Sequence, residues 1–133
     1  MTVAAQDAAL VRREWGRFVG GFEWDHVATL TFTVNPSEET AERQVRRWVR
    51  RLEQRAGRAV NVFHAIERGA SGLRHVHALT RGTGALPASA LRAAWPCGRS
   101  AVNVYDARRG AAAYATKTTA DADAVYDLDV RAT

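Results

Sequence analysis

Two short alternating runs joined by a tight connection constrain this chain more than any other feature. From Val60 to Glu67, Val60, Val62, His64 and Ile66 fall on one side, and Asn61, Phe63, Ala65 and Glu67 on the other. From Leu73 to Leu79, Val76 and Ala78 alternate with His75 and His77. Alternation of this kind is the signature of β-strands, whose successive side chains point to opposite faces. Gly69-Ala70-Ser71-Gly72 is a turn-forming connection, so the two runs pair as an antiparallel hairpin. Such a hairpin has one apolar face, which must be buried against a second layer.

The other face carries the chemistry. His75 and His77 project from the same side and can grip one divalent cation between them. The plainer alternative is that one imidazole lies on the surface and the other caps a neighbour. Glu67 stands just before the turn. Depending on register, it falls beside both histidines and becomes a third, oxygen ligand. His64 belongs to the opposite face and is the weaker candidate.

At 133 residues the chain is expected to form one domain. Residues 1–23 would be an N-terminal helix and linker, 24–119 the core and 120–133 an acidic tail. The net charge of +5 favours an anionic partner, although many basic proteins share that property. All 19 basic side chains are Arg except Lys117, which suggests a position where Arg would not serve. The single cysteine, Cys97, excludes an internal disulfide and fits a reducing compartment. No apolar run has membrane-spanning length and no signal-peptide core is present, so no membrane partner is expected.

Taken in order, residues 3–19 read as a modest helix ended by Gly20-Gly21, and His26 to Thr33 as a strand. Ala28, Leu30 and Phe32 share one face of that strand, and Val27, Thr29, Thr31 and Thr33 the other. Asn35-Pro36-Ser37-Glu38 reads as a helix start, with Asn35 as N-cap and Pro36 in the first turn. That helix runs to about Ala56. Ala41, Val45, Trp48, Val49 and Leu52 form its apolar stripe, and Arg43, Arg46, Arg47, Arg50 and Arg51 much of its remainder. The arginines are read first as a solvated face with Glu partners, and second as a surface for phosphates. A short helix from Pro87 to Trp95 and a strand from Ala101 to Tyr105 follow. Asp106 caps a final helix over about Ala107 to Thr118, and the acidic tail is expected to be loosely held or to cover a basic patch. The order predicts an α+β, ferredoxin-like split β-α-β-β-α-β fold with an antiparallel sheet, an extra N-terminal helix and a C-terminal helix.

Tyr114 and Lys117 are three apart, on one face of that last helix. A phenol near a cation-bound phosphodiester can attack phosphorus in line, leaving a phosphotyrosine and a free 3′-hydroxyl. Its ordinary pKa is about 10, and a neighbouring metal and ammonium favour the phenolate. Lys117 offers a compact point charge for the scissile phosphate or the leaving group. Two imidazoles and a carboxylate suit Mn²⁺, Zn²⁺ or, more weakly, Mg²⁺.

These residues resemble the HUH superfamily, and more narrowly the single-tyrosine rolling-circle replication initiators (Rep nucleases) of small viruses, phages and plasmids. Three motifs occur in order: the strand Thr29-Leu30-Thr31-Phe32, His75-Val76-His77 with Glu67 upstream, and Tyr114-Ala115-Thr116-Lys117. Trp95-Pro96-Cys97-Gly98 is also similar to phage and bacterial members. The resemblance implies His75, His77 and Glu67 as metal ligands for Mg²⁺ or Mn²⁺, with Tyr114 as nucleophile and Lys117 as its helper. It implies nicking of single-stranded or hairpin origin DNA by a cytoplasmic protein, encoded by a bacterium, phage or plasmid. With no helicase domain in this sequence, a separate helicase would do the unwinding. Arg74, Arg108 and Arg109 are candidates for DNA-backbone contacts.

The pattern has departures. No second tyrosine stands four residues from Tyr114, and Tyr105 and Tyr126 read as structural. The third histidine usual in relaxases is missing. Two alternatives remain: a non-catalytic nucleic-acid-binding module on the same scaffold, and a single-tyrosine transposase or relaxase. The first is disfavoured because Thr, His and Glu occupy strand positions where base-stacking aromatics would be wanted.

Overall fold

The computed structural model describes residues 3–69, 71–110 and 125–129. Among them, three helices and five strands follow in the order α1 (Val3–Gly20), β1 (His26–Thr31), α2 (Glu38–Ala56), β2 (Asn61–Arg68), β3 (Arg74–Arg81), α3 (Ala88–Ala93), β4 (Ser100–Val104) and β5 (Val125–Asp129), with a 3-10 turn at Ala107–Arg109 before β5. The strands form one sheet, ordered β4-β1-β3-β2-β5, in which every neighbouring pair is antiparallel. The four central strands and the helices that cross between them are the ferredoxin-like arrangement expected from the sequence.

The alternation in each strand sorts its side chains onto two faces. Ala28, Leu30, Val62, Ile66, Val76, Ala78 and Val102 pack beneath the apolar stripe of α2, namely Ala41, Val45, Trp48, Val49 and Leu52. Trp48 is fully buried, and its Nε1 donates to the Leu91 carbonyl at 3.0 Å, tying α2 to α3. Truncating a core aromatic of this kind to Ala costs about 3–5 kcal/mol. On the reverse face, Val19 of α1 packs with Trp24, Phe63, Ala65 and Leu79. Helix α1 therefore covers only part of that face, and the histidines of β3 lie on the same side.

Three local expectations are revised. The cap of α2 is Ser37, not Asn35: the Ser37 hydroxyl accepts from the Thr40 amide at 3.2 Å. Asn35 is engaged elsewhere, on the β2–β3 turn, and Pro36 after it favours an extended backbone rather than a helical one. The helix expected from Ala107 is, in its first part, a 3-10 turn capped by Asp106, and Gly110 closes it at φ 71°, a conformation that glycine adopts without strain. The remainder of that expected helix, with Tyr114 and Lys117, lies outside the described residues. Finally, the acidic tail is not merely loose over Val125–Asp129: this stretch pairs with β2 as the edge strand of the sheet, Val62 opposite Asp129 through Ile66 opposite Val125.

The Trp95-Pro96-Cys97-Gly98 stretch seals the end of β1. Trp95 Nε1 donates to the Thr31 carbonyl at 2.8 Å, and the Thr33 amide donates to the Cys97 carbonyl at 2.8 Å. A Cβ at position 98 would stand 2.5 Å from the Thr31 oxygen, so only glycine fits this crossing.

Candidate metal centre

The register of the central strands builds the site. Glu67 on β2 lies directly opposite His75 on β3, and Thr31 on β1 lies opposite His75 from the other side. One rung along, His77 is flanked by Ala65 and Thr29. The four-residue connection thus sets the pairing that brings Glu67 beside both imidazoles, the arrangement left open by the sequence. Ala65, being small, leaves room above itself for the Glu67 carboxylate to lean toward His77.

In the resulting cluster, one ligand atom from each of Glu67, His75 and His77 lies within 4.8 Å of the others. Glu67 Oε2 is 3.3 Å from His77 Nε2, and Glu67 Oε1 is 3.7 Å from His75 Nε2. Both distances exceed the roughly 2.7–2.9 Å of a charge-assisted hydrogen bond. They suit donors that converge on a shared point better than donors bonded to each other. The imidazole rings stand edge to face, with centroids 4.9 Å apart. His77 is nearly buried, whereas the His75 and Glu67 side chains keep 23% and 15% of their surface. The cluster therefore has a rigid floor and an open side.

The supporting contacts fix the histidine that matters most. Thr29 Oγ1 lies 3.5 Å from His77 Nδ1, on the far side of the ring from Glu67. An Nδ1–H directed at that hydroxyl leaves Nε2 as the lone-pair donor facing the carboxylate, the tautomer a metal requires. Asn35 holds the hairpin from outside: its Nδ2 donates to the Gly72 carbonyl at 3.3 Å, and its Oδ1 accepts from the Arg74 amide at 2.9 Å. The sequence marked Thr29 as a polar residue on a ligand-facing strand face. It gave Asn35 the wrong task, because an Asn before Pro looks the same whether it caps a helix or braces a turn.

The remaining histidines go elsewhere. His64 sits on the α2 side of the sheet, 3% exposed, with Nε2 at 2.9 and 3.1 Å from the two Glu42 oxygens. Burial works to raise the Glu42 carboxyl, but the His64 hydrogen bond and charge, helped by Arg46, outweigh it and leave the group below its ordinary value. His26 Nδ1 is 2.7 Å from Thr83 Oγ1, in a buried cluster with Thr80. There desolvation pulls the imidazole below its ordinary value, against the attraction of Asp25.

Of the three candidate phosphate-contacting arginines, Arg74 points to the α2 side, where it donates to the Pro36 carbonyl at 2.7 Å. Its register places it on the face opposite His75. Arg108 is exposed and pairs with Asp106 at 3.2 Å, and Arg109 is exposed beside it. Tyr105 packs against the α1-side cluster, and burial, then Asp106, raises its phenol.

Two imidazole nitrogens and a carboxylate oxygen make a mixed donor set that fits Mn²⁺ or Zn²⁺ and, less tightly, Mg²⁺. Three protein donors leave coordination positions for water or a substrate oxygen. Among the described residues this is the one such cluster, and no described helix is long and apolar enough to cross a membrane.

No match was found among curated proteins or among solved structures. A family model for the replication-associated protein ORF2 matches residues 25–122, from just before β1 to beyond Lys117. That stretch carries the whole of the split sheet's centre and all three donors, and on this match over most of its length the chain belongs to the ORF2 family of replication-associated proteins.

Proposed function

We propose that this replication protein nicks and rejoins single-stranded DNA at an origin, starting replication through a covalent 5′-phosphotyrosine. The observation that carries the reading is the convergence of Glu67, His75 and His77 on one open sheet face in a chain of a replication-associated family. Glu67, His75 and His77 would hold Mg²⁺ or Mn²⁺, whose charge offsets that building on a non-bridging phosphate oxygen. Thr29 keeps His77 in the donating tautomer, and Asn35 keeps the hairpin in register.

Tyr114 is the nucleophile of this proposal. Its oxygen forms the bond to phosphorus as the bond to the 3′-oxygen breaks. The phenolic proton goes to solvent, and the departing 3′-oxygen takes one up to become a hydroxyl. Lys117 places a positive charge near this exchange. The phosphotyrosine retains the energy of the broken phosphodiester, so a 3′-hydroxyl can later reverse the step. Arg108 and Arg109, exposed after β4, are proposed to meet the DNA backbone. A separate helicase supplies unwinding.

The test is incubation with origin oligonucleotides and Mn²⁺, followed by a denaturing gel. A covalent protein–DNA band is expected. It should vanish with Tyr114→Phe or a chelator and persist with Tyr105→Phe and Tyr126→Phe. An adduct that survives Tyr114→Phe overturns the assignment, and binding without an adduct on every origin tried favours a non-catalytic module.

A further inference from the structure

The exposed side of α2 carries Arg43, Arg46, Arg47, Arg50, Arg51 and Arg55, and Arg58 follows just past its end. The sequence offered Glu42 and Glu53 as partners that would turn these residues into an ordinary solvated face. The structure engages both carboxylates elsewhere. Glu42 binds His64 and lends only a 3.6 Å contact to Arg46, and Glu53 accepts from the Val60 amide at 3.0 Å. Arg51 donates to the Ala94 carbonyl. Among the described residues, Arg43, Arg47, Arg50, Arg55 and Arg58 have no ion-pair partner. From Arg43 to Arg55 the ridge extends about 18 Å at the rise of an α-helix.

Clustered, uncompensated guanidinium groups are costly in self-repulsion and useful where a polyanion neutralises them. Their position matters as much as their number. Helix α2 covers the face of the sheet that holds Val76 and Ala78, whereas His75 and His77 project from the reverse face. A strand of DNA crossing the metal centre is thus separated from the ridge by the sheet and a helix layer. The outward positions of α2 are Arg, Gln and Glu, with no aromatic ring on which an unpaired base could stack. A rigid, basic, ring-free helix face suits the regular phosphate array of a duplex rather than a splayed single strand.

We propose that the outer face of α2 is a second DNA-binding surface that takes the phosphodiester backbone of duplex DNA, on the side of the sheet opposite the metal centre. It relies on the proposed function only for DNA being the partner. It gives the protein a grip on double-stranded DNA next to the single-stranded stretch that it would cut.

The experiment measures binding of a labelled duplex of about 20 base pairs, roughly twice the ridge's length at 3.4 Å per pair, by fluorescence anisotropy across a salt series. The full chain is compared with Arg43→Gln/Arg47→Gln/Arg50→Gln/Arg55→Gln and with the same four positions changed to Lys. Each lost phosphate contact removes about 0.9 from the slope of log K against log salt. The Gln variant should therefore lose roughly 3–4 from the slope and about tenfold or more in affinity at moderate salt. The Lys variant, which keeps the charge, should stay near the parent. Melting curves for the Gln variant should match the parent, because Gln is a good helix former at these exposed positions. Adduct formation on a short single-stranded oligonucleotide should be unchanged. An unaltered duplex slope in the Gln variant overturns the proposal. So does displacement of the duplex by polyglutamate at equal charge, which would assign the ridge to an acidic protein. Loss of the adduct with Tyr114→Phe or its absence in the parent bears only on the nicking reading, since the duplex measurement needs no cleavage.

Discussion

The same sheet carries histidine–glutamate chemistry on both faces, with opposite outcomes. On the α2 side, one imidazole meets one carboxylate at 2.9 Å in a closed pair: His64 and Glu42 satisfy each other and cross-link helix to sheet. On the reverse side, two imidazoles meet one carboxylate at 3.3 and 3.7 Å, with one flank open. Identical residue types thus brace the fold in one place and form a receptor in the other. What separates them is donor count, spacing and access.

This contrast breaks most sharply under substitution. His77→Ala or Glu67→Gln should lower adduct formation with Mn²⁺ by at least about a hundredfold, about 2.7 kcal/mol in barrier. The melting temperature should barely move, since an open cluster adds little to the core. Comparable nicking by the variant and the parent would erase the distinction between the faces. On the other side, Glu42→Ala leaves the buried His64 without its partner and should cost about 1–3 kcal/mol in urea unfolding, with adduct formation retained at temperatures where the variant is folded. A variant that stays stable but loses nicking would mean that the α2-side pair serves the chemistry after all.

Smaller effects sharpen the same comparison. Ser37→Ala removes the cap one turn before Glu42 and should destabilise by about 1 kcal/mol, read by thermal melting, without changing metal dependence. Stability should also fall with acid in two steps. His26 is held below its ordinary value, so below about pH 6.5 the unfolded chain takes up a proton that the folded one refuses. Glu42 is likewise held low, so its contribution is present above the ordinary carboxylate range and lost as the pH falls through its depressed value. Urea melts from about pH 7 down through the carboxylate range, to about pH 4 and below, should show both steps, and Glu42→Gln should remove the lower one.

Much of this was legible in the chain. Alternation assigned Val62, Ile66, Val76 and Ala78 to one face and Glu67, His75 and His77 to the other, because a strand's period of two leaves no third choice. The short glycine-bounded connection limited the register enough to nominate Glu67, and pairing settled it. What sequence missed depended on competition between neighbours. Asn35 had a helix to cap and a turn to brace, and the turn claimed it. Val125–Asp129 looked too acidic to join a sheet, yet an edge strand needs only backbone partners on one side, and β2 supplied them. The α2 arginines read as a salt-bridged face until Glu42 and Glu53 proved to be engaged by His64 and Val60.

The direct test of the central claim is a calorimetric titration of Mn²⁺ into the full chain and into two single variants, one from each face. The account predicts one site in the parent, retained in His64→Gln and abolished in His77→Ala. Binding that survives His77→Ala, or that disappears with His64→Gln in a folded protein, would contradict it.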